Sequence, residues 1–279
     1  MHNKILIIGG DKRQDGLFDI LKDKFSNCTK ENTSSLKALS EIKNHSLIIL
    51  PVPFSSDGEY IYSSNPDFRL SVTDFLSALT KDNTVIAGAI SEKIRAELNK
   101  KSIAFYDMCD SDYFTEYNAF LTSQGAVKLL LDNTESLVTG RKVLITGFGR
   151  VAQALALTLK GIGTDVFILA RNPHQLLKAH CLGLRTVSLS VKSSVICMFD
   201  YIFNTVPCQI FSESDVFRIR DDTVYFELAS KPFGADKTHF EKHGKKYVYG
   251  GGLPGKYVSA SACEIMADFI INTVKENPI

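Results

Sequence analysis

The chain has 279 residues, 44% of them hydrophobic and 23% charged, which is enough for two domains with ordinary cores and excludes a disordered chain. Its 32 Lys and Arg against 31 Asp and Glu give a formal net charge of +1, so no global field recruits nucleic acid or an anionic membrane, and the expected partner is a small molecule or another protein. Cys28, Cys109, Cys181, Cys197, Cys208 and Cys263 form no CxxC pair, which fits reduced cytosolic thiols, mostly core filler, better than a disulfide frame or a zinc site. No signal region is read at the amino terminus and no apolar run approaches the roughly 20 residues that span a bilayer, so a cytoplasmic protein without a bound metal is expected.

In chain order, the β-rich runs "KILIIGG", "SLIILPV", "TVIAGAI" and "IAFYDM" come first. "KVLITGF", "DVFILAR", "YIFNTVP", "TVYFELA" and "KYVYGGG" follow. Their alternation with helical patterns predicts an α/β chain of two Rossmann-like, doubly wound parallel-sheet domains. Residues 1–115 read as the first domain, 116–138 as a linking helix, 139–256 as a nucleotide-binding domain, and 257–279 as a terminal helix returning to the first domain. The stretch "PVPFSSDGEYIYSSNPDF" at 51–68 has no period and is too long for a simple connection, so it reads as a functional or mobile loop.

The second domain carries the dinucleotide fingerprint. Gly147, Gly149 and Ala152 form G-x-G-x-x-A between a predicted strand and a predicted helix, the context that the motif requires. Gly147 permits the turn, Gly149 lets backbone approach a pyrophosphate, and Phe148, Arg150 and Val151 complete the loop at a helix amino terminus. Where an NAD site usually places an acid at the end of the next strand, this chain has Arg171 and Asn172. Arg171 can clamp a 2′-phosphate, so NADP is the expected cofactor; a solvated surface arginine is the alternative. Asn204, Thr205 and Val206 in "NTVP" are expected beside the nicotinamide ribose, with an Asn serving only its own turn as the equal alternative.

The first domain has no room for a second dinucleotide, because Asp11, Lys12 and Arg13 follow Gly9 and Gly10. Asp11 can cap the next helix, and Arg13 offers a planar fork for a carboxylate. Gly10, Asp11, Arg13 and Asp57 are the substrate-binding candidates here. In the second domain the candidates are Ser230, at a strand's carboxyl edge, and Lys256, in the loop "GGGLPGK". Two cations from two domains suit a dicarboxylate, with Asp11, Arg13 and Lys256 as the catalytic set, and Asp57, Glu59 or water as further candidate bases. No histidine falls at the carboxyl end of a predicted strand, which disfavours a 2-hydroxy-acid dehydrogenase.

Taken together, "GGDKRQ", "ILPVP", "DG" at 57–58, "GFGR", "ILAR", "NTVP", "ELAS" followed by "PFGAD", and "GGLPGKY" resemble, in order and rough spacing, the family of dipicolinate synthase A subunits from endospore-forming bacteria. The pattern departs at Phe233, at Gln124 and in "VSASAC", which contains Ser259. The resemblance implies NADP-linked oxidation of dihydrodipicolinate, a lysine-pathway derivative, to pyridine-2,6-dicarboxylate during sporulation, in the mother cell. It also implies a flavoprotein-like B subunit of dipicolinate synthase as partner, and an oligomer is expected. The alternatives are a shikimate-dehydrogenase-like or methylene-tetrahydrofolate-dehydrogenase-like NADP oxidoreductase and a non-catalytic NADP-sensing protein.

Overall fold

A computed structural model describes residues 4–277. Contacts divide the chain into two units, residues 1–118 with 258–279, and residues 119–257. Unit 1 holds strands β1 (Lys4–Ile8), β2 (Asn27–Glu31), β3 (Leu47–Ile49), β4 (Thr84–Ala87) and β5 (Ala104–Asp107). They form one parallel sheet in the order β2-β1-β3-β4-β5, a doubly wound arrangement whose order reverses between β1 and β3. Helices α1 (Lys12–Lys22), α2 (Ser35–Ile42), α3 (Val72–Ala78) and α4 (Glu92–Lys100) make the connections. Helix α5 (Asp112–Leu131) then carries the chain from unit 1 into unit 2.

Unit 2 contains β6 (Lys142–Thr146), α6 (Arg150–Gly161), β7 (Asp165–Ala170), α7 (Pro173–Cys181), β8 (Arg185–Ser188), α8 (Lys192–Val195), β9 (Tyr201–Asn204), α9 (Glu213–Arg218), β10 (Val224–Glu227), α10 (Lys237–Lys242), β11 (Lys246–Tyr249) and α11 (Leu253–Tyr257). Its parallel sheet runs β11-β10-β9-β6-β7-β8. This is the order 3-2-1-4-5-6 of a dinucleotide-binding domain, with its switch point between β6 and β9. Helix α12 (Ser259–Glu276) returns to unit 1 and packs on α1, as the sequence predicts.

The central strands are apolar on both faces because helices cover both, which is why they read as continuous Val, Ile and Leu runs. In unit 1, Leu6, Ile8, Ile48, Val85 and Phe75 share a buried cluster; in unit 2, Ile145, Leu155, Ile168, Phe203 and Phe226 do so.

Several expectations are corrected. The edge strands β2 (NCTKE) and β8 (RTVS) have no apolar run, and the sequence pattern does not predict them. The stretch from 51 to 68 is packed into unit 1: Phe54, Ile61 and Phe68 are buried, and the amide of Ile61 donates to the Leu70 carbonyl at 2.9 Å. The "GLPGK" loop is the short helix α11. Of the six cysteines, all free thiols, Cys263 is buried while Cys181, Cys197 and Cys208 are exposed, so core filling does not account for most of them. Among the described residues, no helix is long and apolar enough to cross a membrane.

Candidate nucleotide site and the glycine turn of unit 1

Strand β6 delivers the chain into Gly147 at φ +76°, whose amide donates to the Leu169 carbonyl at the end of β7, at 2.8 Å. A Cβ on Gly147 would lie 2.6 Å from Val206 Cγ2, so the turn has no room for one, whereas a Cβ on Gly149 would meet nothing within 4 Å. Gly149 is the N-cap of α6, and no side chain caps that helix. Its first turn thus lacks a side-chain cap, at the end of the helix dipole that favours an anion.

This turn lines a cavity of about 820 Å³, within the range of a cofactor site. Residues 147–152 form one wall, Leu169, Ala170, Arg171, Asn172 and Gln175 another, Leu189 and Lys192 a third, and residues 205–210 the last. All the expected cofactor residues but one thus line one cavity at the switch point. Asn172 also caps α7, accepting from the His174 amide at 2.9 Å. The exception is Asn204. Fully buried and absent from the lining, it spends its side chain on Thr146, Val206 and Glu227 and has no ribose-facing surface.

Six lining residues, Gln175, Leu189, Lys192, Cys208, Gln209 and Ile210, carry no signal in the sequence. Gln175 and Leu189 lie beyond the motif, and Lys192 is a buried cation whose Nζ donates to Asp215 at 2.6 Å and to the Ile210 carbonyl at 2.5 Å. Burial opposes charge on Asp215, but hydrogen bonds from Lys192, Ser193 and Ser212 hold its carboxyl down at about 2.

The glycine turn of unit 1 begins the same way. Gly9, at φ +67°, donates to the Glu31 carbonyl at the end of β2, at 3.1 Å. The Gly10 amide then donates to the Tyr62 carbonyl at 2.8 Å, and the Ser64 amide returns a bond to the Gly10 carbonyl at 2.8 Å. The 51–71 segment thereby roofs the turn. Asp11 caps α1, accepting from the Arg13 amide at 3.0 Å, while its own amide donates to Gln14 Oε1 at 2.9 Å.

Arg13 does not present its fork to solvent. It is 5% exposed; Nε and Nη2 grip Asp11 at 2.9 and 2.8 Å, and Nη2 also donates to the Val52 carbonyl at 2.6 Å. The guanidinium thus ties the loop after β1 to the loop after β3, across the point where the strand order reverses. Burial works to raise the Asp11 carboxyl, but the hydrogen bonds and charge of Arg13 outweigh it and hold Asp11 below the usual range.

Asp57 is exposed and caps its own turn, accepting from the amides of Glu59 and Tyr60 at 2.8 and 2.9 Å, which hold its carboxyl low. Ser230 and Lys256 are both exposed in unit 2, and Lys256 Nζ lies 4.8 Å from the centre of the Tyr257 ring. Among the described residues, no group of three or more His, Cys, Asp or Glu is placed to hold a metal ion.

Two doubly wound domains, the second opening a cavity at its switch point, define a Rossmann-type protein with the fold of the two-domain dehydrogenases. Consistent with that class, D-lactate dehydrogenase from Escherichia coli superposes with a TM-score of 0.68 at 11% identity, covering 98% of this chain and 97% of that one. The resemblance carried by the ordered motifs holds over nearly the full length. Residues 4–109 match the family model for the N-terminal domain of the dipicolinate synthase A subunit. The whole chain is 27% identical to the dipicolinate synthase A subunit of Bacillus subtilis, covering 98% of this chain and 96% of the relative. The crystal structure of the corresponding dipicolinate synthase A subunit from Bacillus halodurans superposes with a TM-score of 0.82 at 22% identity, covering 98% and 97% of the two chains.

Proposed function

We propose that the chain is the NADP-linked dehydrogenase component of a dipicolinate synthase, oxidising dihydrodipicolinate to pyridine-2,6-dicarboxylate in the mother cell of a sporulating bacterium. The observation that carries the nucleotide part of this reading is the uncapped Gly149 turn facing the unit 2 cavity. The substrate class rests on the full-length similarity to the dipicolinate synthase relative.

The residues present fit a dinucleotide: Gly147 leaves no space for a side chain, and Gly149 leaves space that a pyrophosphate would fill. Bound NADP+ would accept a hydride from a ring carbon of the substrate. The protein's own part is to hold the pyrophosphate on the first amides of α6 and to meet the 2′-phosphate with Arg171, flanked by Arg150 and Asn172. Thr205 and Val206 line the half of the cavity beside β9. Loss of the second hydrogen as a proton makes the ring aromatic, so orientation and a modest base suffice. Arg13 holds Asp11 below the usual carboxylate range, which weakens it as a base at neutral pH, so water is the proposed proton acceptor. Lys256 and Ser230, both exposed in unit 2, are the proposed donors to the substrate carboxylates, while Arg13 is spent on Asp11 and the Val52 carbonyl within unit 1. The smaller flavoprotein-like B subunit of dipicolinate synthase is the proposed partner.

The test supplies dihydrodipicolinate made in situ with NADP+, and follows NADPH by absorbance and dipicolinate by chromatography, with and without the flavoprotein-like partner. Matched formation of the two products above the uncatalysed rate is expected. Tight NADP(H) binding without dipicolinate formation under either condition would instead point to a nucleotide-sensing protein.

A further inference from the structure

Strand register places three polar residues in one row across the centre of the unit 2 sheet: Thr146 of β6 opposite Asn204 of β9, and Asn204 opposite Glu227 of β10. All three are fully buried. Thr146 Oγ1 donates to Asn204 Oδ1 at 2.5 Å, and Asn204 Nδ2 donates to Glu227 Oε1 at 2.6 Å. Glu227 also accepts from the Ala229 amide at 3.1 Å, the Gly234 amide at 2.8 Å and the Tyr225 hydroxyl at 3.0 Å.

A row of this kind is an expensive way to fill a sheet centre. Burial pushes the Glu227 carboxyl upward against the pull of its donors, and well-packed apolar residues of similar volume would serve stability as well or better. What apolar residues cannot supply is directional bonding to loop backbone. Asn204 Nδ2 donates to the Val206 carbonyl at 2.9 Å, and the Thr205 amide donates to Thr146 Oγ1 at 3.2 Å. On the far side, the Gly234 carbonyl accepts from the amides of Ile210 and Phe211 at 2.8 and 2.9 Å. A Cβ on Gly234 would come within 2.4 Å of the Asn204 amide group. The row therefore sets the path of residues 205–211 and ties them to the loop that follows β10.

We propose that Glu227, through Asn204 and Thr146, is a positioning residue for the nicotinamide half of the cofactor. This rests on the nucleotide reading above. A fold of this order binds one mononucleotide on each side of its switch point. The pyrophosphate turn follows β6 and Arg171 follows β7, so the adenosine half belongs to the β6-β7-β8 side and the nicotinamide half to the β9-β10-β11 side. The row lies beneath the second half. It does not line the cavity itself and acts through Thr205 and Val206, which do.

The test uses Glu227→Gln, which presents a donor to groups that themselves donate, and Thr146→Val, which removes a hydroxyl at nearly constant shape. Each variant and the unaltered protein are titrated with NADPH or NADH, whichever binds more tightly, and with the matching adenosine fragment, 2′,5′-ADP or ADP. Loss of one or two hydrogen bonds to the loop is expected to weaken the whole cofactor about tenfold and leave the fragment within about twofold. Equal weakening of cofactor and fragment, or no weakening of either, overturns the proposal, because a row that merely supports the domain would move both or neither. Should Glu227→Gln fail to fold, Thr146→Val decides by the same split. Failure of the unaltered protein to bind either nicotinamide nucleotide would overturn the cofactor reading and this proposal with it; binding by the unaltered protein without the split overturns this proposal alone.

Discussion

Units 1 and 2 open with the same local design. In each, an apolar strand enters a glycine at positive φ, and that glycine's amide bonds to the end of the second strand, Gly9 to Glu31 and Gly147 to Leu169. They part at the next step. In unit 2 the helix is left uncapped and a Cβ on Gly149 would meet open space; in unit 1 Asp11 caps the helix and a Cβ on Gly10 would lie 2.1 Å from Gln14 Oε1. The ends of the second strands differ likewise. Arg171 faces the unit 2 cavity, whereas Glu31 turns into the protein and accepts from the amides of Thr33 and Ser34 at 2.8 and 2.9 Å. One turn closes on itself and the other leaves open space at Gly149. A strand running into paired or near-paired glycines thus reports a tight turn, and the residues just past the glycines decide whether that turn receives a ligand.

The largest expected effect tests the open turn. Gly149 sits at φ −81°, which any residue can adopt, so Gly149→Val should fold normally while its side chain occupies the pyrophosphate space. Affinity for either nicotinamide nucleotide should fall by about a thousandfold, roughly 4 kcal/mol, with an unchanged melting curve. Retained affinity would show that the turn is structural in unit 2 as well.

The mirror experiment is Gly10→Ala. At φ +87° with Gln14 at contact, the added methyl meets both backbone strain and overpacking, and should cost about 2–3 kcal/mol of unfolding free energy. Nucleotide affinity of the folded fraction should be unaltered. A fall in affinity without a fall in stability would mean that the closed turn also meets nucleotide.

Arg171→Ala comes next. Loss of a charged hydrogen bond should weaken NADPH by about 1.5–3 kcal/mol and leave NADH nearly unchanged, read by fluorescence titration of both. Equal losses would place Arg171 on a part that the two cofactors share, and no loss for either would place it in the solvent.

Much of this contrast is legible in the amino-acid sequence. The central strands announce themselves because a buried parallel strand is a run of apolar β-formers, and G-x-G-x-x-A in its strand-helix context locates the cavity. The rest depends on contacts distant in sequence. Strands β2 and β8 are stabilised by one neighbour at a sheet edge, so polar residues such as Lys30 and Arg185 are tolerated and leave no pattern. Asn204 stands where a ligand contact is expected, but its amide is claimed by Glu227, 23 residues away. Arg13 reads as a fork for a carboxylate because the Val52 carbonyl that engages it lies 39 residues further on. The roof over Gly10 likewise comes from Tyr62 and Ser64, inside a stretch without periodicity.

The smallest expected effect concerns the acid that unit 1 keeps for itself. Burial opposes charge on Glu31, but hydrogen bonds from Thr33, Lys37 and Ser34 hold its carboxyl down from 4.5 to about 2. A carboxylate held below its unfolded value stabilises the fold above the unfolded pKa, and that contribution is lost as pH falls. Here the loss runs from about 4.5 to about 2. Glu31→Gln can keep the oxygen that accepts from Thr33 and Ser34 and gives up mainly the charge facing the largely exposed Lys37. It should therefore cost only about 1 kcal/mol at pH 7 and make the acid limb of the stability curve shallower. Unfolding in urea at a series of pH values between roughly 7 and 3, for the unaltered chain and the variant, reads both effects. If the two curves stay parallel down the acid limb, the charge on Glu31 does nothing for the closed turn, and the end of β2 differs from the end of β7 in geometry alone.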